Sequence, residues 1–95
     1  MLRMNDLFLA AYLFTKGIRA KLEYGDEGKV NFLYPETPEI EEALIDYDNG
    51  ATINVLEFRD AYRTCRSQMM NVKDRSNLLQ RRINYGTRST NQAKI

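Results

Sequence analysis

The chain has 95 residues, of which 43% are hydrophobic and 28% charged, with one cysteine, no histidine and a formal net charge of +1. Such a composition makes one compact domain with a small core rather than a disordered chain. It excludes histidine-based catalysis, the commonest zinc ligand and any intramolecular disulfide. Cys65, in the middle of a helical pattern, reads as a small buried hydrophobe and suits a reducing cytoplasm.

Charge is unevenly spread. Residues 1–72 hold 8 Lys/Arg and 12 Asp/Glu, whereas residues 73–95 hold 6 Lys/Arg against Asp74 alone. An acidic body thus precedes a basic tail.

The first element is NDLFLAAYLFTKG, residues 5–17. It is too short to span a bilayer, which takes about 20 apolar residues, and Asp6 falls where a signal peptide carries positive charge. The spacing predicts a helix with Asn5 or Asp6 as N-cap, Lys16 in the last turn and Gly17 as the left-handed stop. Being apolar nearly all round, Leu7 to Phe14 is expected to form the buried spine of the fold.

Ile18, Ala20, Leu22 and Tyr24 then alternate with Arg19, Lys21 and Glu23, the period of a strand with one wet face. Gly25 to Gly28 forms a turn, and KVNFLYP returns with Val30, Phe32 and Tyr34 on one side, completing a β-hairpin. Two strands alone are marginal, so this apolar side must lie on helices. Thr37 and Pro38 open a second helix with Ile40, Ala43, Leu44 and Tyr47 inward, stopping at Asn49-Gly50.

Ala51–Ile53 is expected to be a short third strand. Asn54, with Glu57 three residues on, caps a third helix whose core stripe is Val55, Phe58, Tyr62, Cys65 and Met69. That helix is expected to reach about Met70–Lys73 and to continue or restart through SNLLQRR. From Asn84 onward no periodicity is visible, and mobility is expected unless a partner binds.

The fold class read from these elements is α+β: helix, β-hairpin, helix, short strand, helix, with the helices on one face of the hairpin. A compact domain over residues 1–73 would be followed by a basic helical extension and flexible tail over 74–95.

Three stretches could carry chemistry. DYDNGATINVLE, residues 46–57, places Asp46, Asp48, Thr52, Asn54 and Glu57 at calcium-loop positions. Gly50 and Ala51 nevertheless stand where that loop needs a ligand and its glycine, and helix capping accounts for the same residues. Glu36, Glu39, Glu42 and Asp46 form an acidic face suited to a partner. Arg75, Arg81, Arg82, Tyr85, Arg88 and Lys94 could neutralise phosphates and stack a base. Tyr12, Tyr24, Tyr34, Tyr47 and Tyr62 fall on apolar faces as core amphipaths, and surplus tyrosine at a core edge suits a homodimer interface.

Residues 4–72 resemble a family of small uncharacterised bacterial and phage proteins classed as a domain of unknown function. The likeness rests on DLFLAAYLFTKGI, VNFLYPETPEIEEAL and NGATINVLEFRDAYRTCRS. It implies the same element order and brings no activity, cofactor or site residue. The family's frequent setting in mobile elements implies a phage or mobile-element accessory protein.

The expected function is therefore a non-enzymatic interaction module of the cytoplasm, the host's if phage-encoded, that binds a host protein or assembly without cofactor or membrane. A nucleic-acid-binding accessory protein using the tail, a phage inhibitor of a host defence complex, and a calcium-binding helix–loop–helix are the alternatives.

Overall fold

The computed structural model describes residues 1–25 and 28–92. Its elements are β1 (Leu2–Met4), α1 (Leu7–Thr15), β2 (Lys21–Tyr24), β3 (Val30–Tyr34), α2 (Pro38–Asp48) and α3 (Val55–Gln92). The antiparallel sheet has the order β1-β3-β2. Val30, Phe32 and Tyr34 point into the protein from the central strand, at 1–3% exposure. In the register, Leu2 and Met4 flank Tyr34 and Phe32 on one side, and Leu22 and Tyr24 flank Phe32 and Val30 on the other.

Local chemistry sets each helix boundary. Asp6 accepts hydrogen bonds from the Phe8 and Leu9 amides at 3.0 and 3.2 Å. At the far end of α1, the Gly17 amide bonds the Phe14 carbonyl and the Ile18 amide bonds the Leu13 carbonyl, each at 3.0 Å. This is a Schellman stop, and it needs the left-handed φ of +80° that Gly17 supplies. Ile18 is tied into that cap and the Arg19 guanidinium lies 4.8 Å from the Phe14 ring centroid. The strand expected from Ile18 therefore begins only at Lys21.

The same device closes α2. Gly50 sits at φ +76° and the Ala51 amide returns to the Asp46 carbonyl at 3.0 Å. Three residues later the Asn54 carboxamide accepts from the Leu56 and Glu57 amides at 3.0 and 3.1 Å. Ala51–Ile53 is thus a bridge between two caps and not the expected third strand. The third strand is Leu2–Met4, which takes the free edge of β3.

α1 lies between α2 and α3 on the inner side of the sheet. Tyr12 meets Tyr47 of α2 at 5.3 Å between ring centroids, and Phe8 meets Tyr62 of α3 at the same distance. Ala10, Ala11, Ala61 and Cys65 are all buried, small residues that let α1 and α3 approach closely. Tyr34, Phe32, Leu13 and Ile40 are the largest fully buried side chains.

Three expectations of burial change, the first at Tyr24, which is expected on the dry face of its strand and is 40% exposed. Val55 is 77% exposed, and Ala61 takes its place in the buried stripe of α3. Phe8 is 57% exposed, so α1 is sheathed on most sides but open along one line. α3 also runs on past Lys73 without a break: after residue 55 the only glycine is Gly86 and there is no proline. The helical span covers residues 84–92, where the lack of periodicity predicts irregular chain.

Candidate functional site

α3 buries Phe58, Ala61, Tyr62, Cys65 and Met69 to varying depth on one side. At 100° per residue, Arg59, Arg63 and Arg66 occupy an arc of about 60° on a different side. Together with Tyr62, Ser67, Met70 and Asn71 they line a surface groove of about 640 Å3. The three arginines are exposed. Arg59 reaches the Asp60 carboxylate at 3.5 Å, and among the described residues neither Arg63 nor Arg66 meets a carboxylate.

An aromatic stack borders this groove. Phe8 lies nearly parallel to Tyr62, 5.3 Å away with 24° between the planes, and to Phe58, 6.5 Å away at 10°. Phe8, the ring shared by both pairs, is half in water, and its partner Tyr62 lines the groove with the guanidiniums. Leu56, 59% exposed, and Met70, 43% exposed, extend the apolar surface along α3.

The charge boundary follows from the fold. Residues 1–54 hold five Lys/Arg and ten Asp/Glu, while residues 55–95 hold nine Lys/Arg and three Asp/Glu. The basic region therefore begins on α3 at Arg59, one turn in from its start, and is not the tail alone. The missed residues, Arg59, Arg63 and Arg66, carried a readable signal: spacings of four and three on a predicted helix.

The expected acidic face divides. Glu39, Glu42 and Asp46 line one groove with Lys16 and Ile18, whereas Glu36 turns to the Met1 ammonium at 3.5 Å. Of the expected basic contacts, Arg75 is exposed on α3. Residues 81, 82, 85 and 88 fall on its helical backbone, but the side chains of Arg81, Arg82, Tyr85 and Arg88 lie outside the described residues, as does the whole of Lys94. The calcium-loop residues are not gathered together: Asp46 and Asp48 belong to the last turn of α2, and the Asn54 carboxamide caps α3. No group of three or more metal-ligating side chains converges among the described residues.

A hollow of about 70 Å3 between α1, β3 and α3 is lined by Phe14, Phe32, Tyr34, Cys65 and Gln68 among others, far below the several hundred Å3 of a cofactor site. Burial, and secondarily the Cys65 thiol, raises the Tyr34 hydroxyl above its ordinary pKa. Burial likewise raises Cys65, disfavouring the reactive thiolate. Tyr47 is raised by burial first and then by Asp6 and Asp48. All three shifts favour the protonated forms.

No helix among the described residues is long and apolar enough to cross a membrane. No curated protein and no solved structure matches the chain. The family model described as Domain of unknown function (DUF5659) matches residues 2–73, the stretch that contains β1, the two capped helices and the groove-bearing part of α3, and the chain belongs to that family.

Proposed function

We propose that this protein is a non-enzymatic interaction module whose working surface is the outer edge of α3, where it binds an anionic partner. The observation that carries this reading is the segregation of charge across the helical layer. Arg59, Arg63 and Arg66 line one groove on α3, and Glu39, Glu42 and Asp46 line another on α2, with α1 between them. Like charges held side by side repel unless a counter-charged partner offsets them. The α2 edge then suits a cationic surface on a host protein, so that one small domain addresses two partners.

The same reading makes the protein a cytoplasmic accessory factor of a phage or mobile element, one able to associate as a homodimer. Its single buried thiol and small size support that setting. The direct test is retention on immobilised heparin, a polyanion without bases. The parent protein should be held and elute with added salt, and Arg63→Glu/Arg66→Glu should pass through while melting at an unchanged temperature. Equal elution of both proteins would refute the α3 edge as an anion-binding surface.

A further inference from the structure

From the groove and the ring stack beside it, we infer that the anionic partner of α3 is a single-stranded nucleic acid. The inference rests on the reading above that this edge is the working surface, and adds the identity of the ligand.

Arg59 and Arg66 are seven residues apart, about 10.5 Å along a helix rising 1.5 Å per residue. A nucleic-acid strand carries one negative charge per nucleotide, so a row of guanidiniums of this length can meet successive phosphates. A backbone of repeating charge suits this row better than a lone carboxylate or phosphate does. Ser67 and Asn71, exposed in the same groove, add hydrogen-bonding groups for phosphate oxygens or base edges.

The aromatic surface separates a nucleic acid from an acidic peptide. Phe8 stacks on both Phe58 and Tyr62 and is 57% exposed, and Tyr62 carries this aromatic surface into the groove. Unpaired bases stack on such rings, and paired bases inside a duplex cannot reach them. The rest of the body points the same way. Residues 1–54, with ten acidic against five basic side chains, flank the edge with negative charge that repels a second strand. A single strand can follow α3 and avoid it.

The experiment uses the full chain and labelled oligothymidine of about 15 nucleotides, within the span of known single-strand sites, with a duplex of the same length as the second arm. Fluorescence anisotropy is followed from about 50 to about 200 mM salt, where phosphate contacts lose affinity steeply. The single strand should bind more tightly than the duplex. Arg63→Ala/Arg66→Ala should flatten the slope of log affinity against log salt by about 1.4, two contacts at about 0.7 each. Phe8→Leu, which keeps an apolar side chain and removes the ring, should weaken binding about tenfold with the slope unchanged.

Absence of binding to either oligonucleotide, a preference for duplex, or a slope unaltered by the double substitution would each overturn the inference. Heparin retention keeps the two readings apart. If it still depends on Arg63 and Arg66 while oligothymidine is not bound, the nucleic-acid assignment falls and the anion-binding edge stands. If it does not, both fall.

Discussion

Replacing Leu13 and Phe8 by alanine, one at a time, tests how α1 is seated. The two residues share a helix and are both large and apolar, yet Leu13 is 0% exposed and Phe8 57%. Leu13→Ala removes three carbons worth about 0.8 kcal/mol each in transfer, roughly 2.4 kcal/mol. Incomplete collapse around about 60 Å3 of vacated volume, at about 24 cal/mol per Å3, adds about 1.4 kcal/mol. The sum is near 4 kcal/mol, a large share of the roughly 5–15 kcal/mol typical of a domain, and at about 4–8 °C per kcal/mol it lowers the melting temperature by about 15–30 °C. Phe8→Ala loses only a partial burial and a ring stack, about 1–2 kcal/mol in all. Far-UV circular dichroism melts and urea titrations of the two variants give the comparison. Similar losses, or a larger one for Phe8, would show that α1 is not held in the orientation described here.

Other outcomes follow from single features. Gly17→Ala should destabilise by about 1–2 kcal/mol through its left-handed φ alone, because a Cβ there meets nothing within 4 Å; Gly17→Asn should recover part of the loss in the same thermal melts. Asp6→Ala should cost about 1 kcal/mol by stripping the cap from the Phe8 and Leu9 amides, read as a lower urea midpoint. Arg3→Gln breaks an exposed pair with Glu23 at 3.0 Å and should change stability by less than about 1 kcal/mol. Tyr34 and Cys65 have folded pKa values raised above their ordinary 10.0 and 9.0. The unfolded chain therefore loses those protons first, so stability is retained below about pH 9 and falls as pH rises beyond it. Urea midpoints across that range should decline less steeply for Tyr34→Phe.

The amino-acid order made much of this architecture legible, because its signals are local. Asp6, Gly17, Thr37, Pro38 and Asn54 each act on amides or carbonyls within a few residues, and the alternation of Val30, Phe32 and Tyr34 states which side of β3 is dry. Position in the sheet was less legible. Leu2–Met4 is too short to show a period, and its pairing with β3 depends on a chain reversal through α1. Ala51–Ile53 has the side chains of a strand but is consumed by the caps at Gly50 and Asn54. Val55 and Ala61 traded places because the periodic pattern alone does not state how closely α1 approaches, and a small residue is needed at the contact. The basic groove was in plain view as Arg59, Arg63 and Arg66. It was obscured by summing charge over the body, which let the carboxylates of α2 mask guanidiniums on a different helix.

The sheet also constrains how copies of this chain can meet. Its two rims are only three and four residues long, and Arg3 on one is strapped to Glu23 on the other across the back of Leu33. Rims this brief, crossed by a charged tether, are poor templates for recruiting a neighbouring backbone. Any self-association of this chain would then fall to side chains on the helical side, where the aromatic and ionic surfaces are, and would compete with the proposed ligand for the same ground.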